Sequence, residues 1–273
     1  MLKIAGLSRS SYYYQTRGQV DVKDDAALAK TLTALAGRHP TFGVRRLTKY
    51  ARLVPRWKGL GFKRVARIVK SAGIAVKRRK HTVRTTNSAH GFKRFPNLVK
   101  DLDIAHPNQV WVCDITYIIL GTGEVVYLAV VMDVFTRVIR GWELGQTCDH
   151  LLTLRAIQRA LKKGCPQIHH SDQGVQYATP KYTQILSERG VALSMAAVGK
   201  AWENGYAERL MRTLKEEEVT LNEYDTYEEA CKHLGKFIDA VYNRKRMHSS
   251  IGDLSPMQFE QQWRSDQDAK TLS

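Results

Sequence analysis

Apolar residues recur three and four positions apart through Asp24–Ala36, Val44–Leu53 and Phe62–Ala72, the spacing that lines one face of an α-helix. Gly43, Pro55 and Gly61 punctuate these runs, so the pattern predicts three short helices. The last two have the length and turn signals of a helix-turn-helix. From Val76 to Lys100 the periodicity fades into Lys77-Arg78-Arg79-Lys80 and then Thr, Asn, Ser and Gly, the composition of a basic linker. Beyond Pro107 the character changes. Val110–Leu120, Val125–Val131 and Val138–Leu144 are rich in β-branched and aromatic residues, and Gly121-Thr122-Gly123-Glu124 supplies a turn, which predicts a three-stranded antiparallel meander. A helix at Leu151–Lys163, a strand at Gln167–His170, a helix at Pro180–Arg189, a strand at Val191–Ser194 and helices at Asn204–Glu218 and Tyr227–Tyr242 follow. Strand-helix alternation after a meander predicts an α/β domain: a mixed five-stranded sheet with flanking helices, preceded by a small all-α region. The expected boundaries are a basic helical region over 1–75, a basic linker over 76–105, the α/β domain over 106–260 and a polar tail over 261–273.

Composition sharpens this division. The chain of 273 residues, 43% of them apolar, can bury one sizeable core and carry a smaller domain beside it. No apolar run approaches the roughly 20 residues that span a bilayer, and Met1–Ser10 lacks the apolar core of a signal peptide, so no membrane association and a cytoplasmic location are expected. Cys113, Cys148, Cys165 and Cys231 are far apart, and no paired Cys and His spacing marks a zinc site or a disulfide framework. The net charge of +17 is unevenly spread: residues 1–100 hold 24 Lys and Arg against three Asp, whereas residues 101–273 hold 19 against 23 acids. A basic region joined to a near-neutral domain points to a grip on a polyanion in the first part and different work in the second. Lys63, Arg64, Arg67 and Lys70 form a stripe suited to phosphate contacts, as do Arg45 and Arg46 in the helix before and Arg78 and Arg79 in the linker.

Three carboxylates stand out in the second part. Asp114 sits mid-strand in Trp-Val-Cys-Asp-Ile-Thr-Tyr-Ile, where a charge is costly unless a cation offsets the lost hydration; a hydrogen-bonded buried acid is the plain alternative. Asp172 follows a strand in His-His-Ser-Asp-Gln-Gly, at the carboxyl end where α/β sheets place ligands, although a turn Asp before Gly looks the same. Glu208 lies on a helix with Arg212 and Lys215 four and seven residues on, while Leu210, Met211 and Leu214 supply an apolar side, as an ordinary exposed helix also does. Taken singly, none is decisive.

Taken together they are specific. Trp111-Val-Cys-Asp114-Ile-Thr-Tyr117, His170-Ser-Asp172-Gln-Gly174-Val-Gln-Tyr177 and Glu203-Asn204-Gly-Tyr-Ala-Glu208, with 35 residues between Asp172 and Glu208, resemble the DDE signature of insertion-sequence transposases with a retroviral-integrase-like core. Tyr242-Asn243-Arg244 through Arg246, His248 and Ser255-Pro256 resembles that family's C-terminal segment. Thr41-Phe-Gly-Val-Arg-Arg-Leu with Lys63-Arg64-Val-Ala-Arg67 resembles its helix-turn-helix. The likeness spans roughly residues 35–260, and the opening Ile4-Ala-Gly-Leu-Ser-Arg-Ser-Ser-Tyr fits the short leader of a second-frame product. Two departures stand out. Glu203-Asn204-Gly205 replaces the usual Asp-Asn-Ala, and Ala197-Val198 replaces a basic pair. Glu203 therefore stays open as a lesser candidate for the third acid.

The resemblance implies an RNase H-like sheet that gathers Asp114, Asp172 and Glu208 around two Mg²⁺ ions about 3.5 to 4 Å apart, with Mn²⁺ as a substitute. Water as attacker gives cleavage at an element end, and a freed 3′-hydroxyl gives strand transfer. Lys215 is implied to hold DNA near the metals, and Arg212 on the same helix face is a further DNA-binding candidate. Asn204 and His170 are flanking or DNA-contacting candidates, with a packed core histidine an equal reading of His170. The implied partners are double-stranded DNA at element ends and target, further copies of the chain and an upstream-frame protein, in a bacterial, nucleoid-associated setting. An RNase H-like nuclease without joining activity and a DNA-binding regulator with an inert acidic pocket are the rival readings.

Overall fold

The computed structural model describes residues 9–39, 42–74, 91–197 and 199–271, and the chain divides into two compact units, residues 1–80 and 81–273. The smaller unit holds α1 (Arg9–Arg38), α2 (Val44–Arg52) and α3 (Phe62–Ser71). Leu28, Leu32 and Leu35 of α1 close over Leu47 of α2 and Val65 and Ile68 of α3, with Trp57 from the intervening turn. The helix starts at Arg9, well upstream of the apolar run read at Asp24–Ala36.

This packing changes the reading of the basic stripe. Arg64 Nε and Arg67 Nη2 each lie 2.7 Å from the Asp25 carboxylate, and Arg56 pairs with Asp24 at 2.6 Å. Two of the four cations read as a phosphate-binding row are thus partnered within the unit, whereas Lys63 and Lys70 remain exposed. Sequence could not reveal this, since the pairs join positions about 40 residues apart. Arg45 is exposed, and the Arg46 guanidinium lies 5.4 Å from the Phe42 ring centroid. Arg78, Arg79 and the linker through His90 lie outside the described residues.

The larger unit is built on β1 (Val110–Ile119), β2 (Val125–Asp133), β3 (Ile139–Gly145), β4 (Ile168–Ser171) and β5 (Ala192–Met195), in the order β3-β2-β1-β4-β5. The first three strands pair antiparallel as expected, and β1-β4 and β4-β5 are parallel, so the sheet is mixed. Helix α4 (His150–Leu161) is the crossover that makes a parallel β4 possible. With the short α5 (Val175–Ala178) and α6 (Pro180–Ser187), it covers one face over Trp111, Cys113 and Val131. On the other face α7 (Gly205–Leu214) and α8 (Tyr227–Lys236) pack on Val110, Val112, Leu128 and Val130. Both β1 and β2 are therefore apolar on two sides, which is why their sequences read as near-continuous hydrophobic runs.

Two features depart from the expected boundaries. Residues read as linker up to 105 include Val99, Leu102 and Ile104, which pack on the core, and Leu98 N donates to Ser194 Oγ at 2.8 Å. The segment read as a polar tail is the second half of α9 (Pro256–Thr271). Only Pro256 and Glu260 of that helix are buried, so it carries almost no apolar stripe to read; it docks through Glu260 on buried Arg140 and Phe259 against Phe135. Helices α7 and α8 both run on into wide π-helical turns, Lys215–Val219 and Phe237–Tyr242. Among the described residues no helix is long and apolar enough to cross a membrane.

Candidate active site

Side chains alternate along a strand, so Asp114 falls on the face of Val110 and Val112, the face that α7 covers. Its Oδ1 accepts the Ile115 N–H at 2.8 Å. Burial pushes its carboxyl up to about 7, the neighbouring Asp172 charge and then that of Glu208 push the same way, and Lys215 opposes them. Asp114 therefore senses both other acids of the expected triad. Asp172 stands just past the end of β4, where Oδ1 accepts Gly174 N–H at 2.9 Å. A Cβ at Gly174 would come within 2.9 Å of that same carboxylate oxygen, so a larger residue there would displace the Asp172 side chain.

Helix α7 buries Ala207, Leu210, Met211 and Leu214, which turns Glu208 and Arg212 outward on one exposed face. Lys215 follows at the mouth of the π-turn, half-buried, with Nζ 4.6 Å from the Tyr117 ring centroid. Desolvation lowers its pKa while the Asp114 charge raises it. Glu203 is placed differently. Its Oε2 accepts from Asn97 Nδ2 and from Ala197 N, both at 2.9 Å, and Lys200 lies 3.6 Å from Oε1. That carboxylate closes the loop before α7.

His170 is fully buried, with Nδ1 2.8 Å from Ser194 Oγ and Nε2 3.1 Å from the Glu203 carbonyl, so it secures the loop before α7. Asn204 is 4% exposed, and its Nδ2 donates to the Cys113 carbonyl at 3.2 Å, tying the start of α7 to the strand that carries Asp114. Beneath that strand, Tyr182 Oη and Cys113 Sγ lie 2.9 and 3.0 Å from His169 Nε2. Burial lowers the His169 pKa to about 3, so the imidazole is neutral. Nothing in the local sequence of Cys113 or Tyr182 announced this brace, because its members meet only when β1, β4 and α6 assemble.

Among the described residues no three His, Cys, Asp or Glu side chains form a ready-made metal cage. Like charges repel, so carboxylates do not converge fully without a counter-charge between them. The donor chemistry nevertheless fits a hard divalent cation, since the candidate ligands are carboxylates and the raised pKa of Asp114 is one that a cation would pull down.

A mixed sheet of this order with an acid on its central strand, an acid after β4 and an acid on the covering helix defines an RNase H-like integrase core, the fold of polynucleotidyl transferases. Two models of the integrase core domain match, at residues 104–201 and 189–256. The 31 kDa protein of insertion element IS600 from Shigella sonnei is 32% identical, over 96% of this chain and 98% of the relative. The transposase InsF of insertion sequence IS3A from Escherichia coli is 31% identical, over 95% and 92%. The chain belongs to the insertion-sequence transposases built on an integrase core. The magnesium-bound catalytic core domain of HTLV-2 integrase is similar with a TM-score of 0.45 and 17% identity, covering 56% of this chain and 97% of that one.

Proposed function

We propose that this chain cleaves DNA at the ends of an insertion sequence and joins the freed 3′-hydroxyl to target DNA, with Asp114, Asp172 and Glu208 as its catalytic carboxylates. One observation carries the reading: Asp114, on the central strand, is held near a pKa of 7 by burial and by the charges of the other two acids. A group so placed is stabilised by a cation, and hard oxygen donors favour Mg²⁺, with Mn²⁺ as a substitute. When bound, a pair of such ions would activate the attacking oxygen and neutralise the leaving one.

The chain's own residues position the rest. The Gly174 N–H orients Asp172, the Asn204 amide anchors the α7 N-terminus to β1, and the packed face of α7 leaves Glu208 outward. Lys215, steadied against Tyr117, and Arg212 on the same helix present positive charge for a phosphate beside the acids. The N-terminal unit grips DNA through Arg45, Lys63 and Lys70, with Arg67 adding its still largely exposed edge. Two element ends must be held at once, so the working form contains more than one copy, and an upstream-frame protein is a further candidate partner.

The test is incubation of a labelled element-end duplex with the protein and Mg²⁺. Wild type yields nicked and joined products, whereas Asp172→Asn and wild type in EDTA yield neither. Cleavage by Asp172→Asn at the wild-type rate would sink the assignment.

A further inference from the structure

Adjoining the start of α7 is a groove of about 520 Å³ that none of the steps above uses. Its floor is aliphatic, with Ile104 and Val112 among the lining, and its rim carries Trp202, Tyr206, Lys100 and Arg209. Trp202 is 70% exposed and Tyr206 48%. Large aromatic surface left in water beside cations marks a binding site more often than a structural need.

The rigidity of the backbone under Trp202 strengthens the case. Trp202 sits on the short turn Ala201–Asn204, and that turn is pinned from three sides: the Glu203 carbonyl to His170, the Glu203 carboxylate to Asn97 and Ala197, and the Asn204 amide to Cys113. The backbone is fixed while the indole stays in solvent. Tyr206, one turn on, is itself backed by the Arg137 guanidinium, 4.5 Å from its ring centroid. The acid that lines the groove, Glu203, is already engaged by Asn97, Ala197 and Lys200, so the rim is effectively cationic.

We propose that this groove receives an unstacked nucleobase of the DNA strand being processed, stacked on Trp202 and walled by Tyr206, with the flanking phosphates on Lys100 and Arg209. The proposal rests on the DNA-processing reading above. A nucleobase offers a flat face to any aromatic ring whatever its identity, and its own backbone supplies the anions that the rim attracts. Val112 in the groove's lining is the residue before Asp114 on the same face of β1, and Tyr206 stands on the helix that carries Glu208, so a base held here belongs to the strand next to the reacting phosphodiester. Holding one base out of the stack also fixes the register of that strand over the acids.

The test uses the full chain and two fluorescein-labelled duplexes of one sequence, blunt or carrying a short single-stranded thymidine tail in which 5-iododeoxyuridine is placed. Trp202→Ala is expected to weaken binding of the tailed duplex by roughly 5- to 150-fold, the loss of one base-aromatic stack, and to leave the blunt duplex within about two-fold. Trp202→Phe restores most of the affinity, and photo-cross-links map to Trp202 or Tyr206. Because Trp202 is exposed, the melting temperature of the variant stays at the wild-type value. Unchanged binding of both probes by Trp202→Ala, equal loss on both, or cross-links elsewhere overturns the proposal and leaves the DNA-processing reading standing. Failure of the wild type to bind either duplex overturns both.

Discussion

Replacing Asp114 by Asn should stabilise the metal-free protein while abolishing its chemistry. Asparagine keeps the shape and the oxygen that accepts the Ile115 N–H, and removes only the charge. Each pKa unit is worth about 1.4 kcal/mol, so a carboxyl held at about 7 in place of 3.8 makes ionisation cost at most ~4 kcal/mol in the folded state. Asp114 keeps part of its surface in solvent, and screening brings the expected gain to roughly 2–4 kcal/mol. A gain of 2 kcal/mol corresponds to roughly 4–8 °C in melting temperature for a domain of this size.

The pH dependence has a definite sign. The folded state binds more protons than the unfolded state between pH 3.8 and about 7, so the wild type loses stability as pH rises through that window. The cost is complete above pH 7 and absent below the unfolded value. Thermal unfolding of the full chain in EDTA, followed by circular dichroism at pH 8 and at steps down to pH 4, should show Asp114→Asn melting higher at pH 8, with the advantage shrinking steadily toward acid. Saturating Mg²⁺ should narrow the gap by stabilising the wild type. A variant that melts at or below the wild type at pH 8, or a gain independent of pH, would refute the reasoning that burial and neighbouring anions strain this carboxylate.

Three further outcomes follow from the same geometry. Lys215→Ala should weaken engagement of an element-end duplex in a mobility-shift titration while metal-induced stabilisation stays intact, and normal cleavage by that variant would dismiss its role. Gly174→Ala places a Cβ 2.9 Å from Asp172 Oδ1 and 3.1 Å from Gln176 Oε1, both movable side-chain ends, so cleavage should fall at least ten-fold with little change in melting temperature. Gly141→Ala meets backbone instead, at 2.3 Å from the Ala156 carbonyl and 2.7 Å from Ala160 N; it should destabilise the larger unit by about 1–3 kcal/mol in urea unfolding. Wild-type stability of Gly141→Ala would show that α4 can lift off β3 freely.

The strand meander and the alternation after it were legible in the chain because each depends on local spacing, and a period of two and a period of 3.6 can be read off consecutive residues. The three acids were singled out differently, by the resemblance of the motifs around them, since none is distinctive in its own segment. Helix α9 and the packed segment at 91–104 were not legible, since the first has almost no apolar stripe and the second holds its place through isolated residues such as Leu98 and Val99.

What the residues determined unaided was which groups could do chemistry and which faces had to be buried. What only the assembled fold decided was which polar groups are spoken for. Asp25 pairs with Arg64 and Arg67, the Ser194 hydroxyl and the Glu203 carbonyl occupy His170, and Glu203 is spent on Asn97 and Ala197 while Glu208 stays outward. The physical reason is that burial follows from how apolar a segment is, which a sequence displays. A hydrogen bond or ion pair instead needs two particular atoms within about 3 Å, and strands and helices from distant parts of the chain bring them there only on packing.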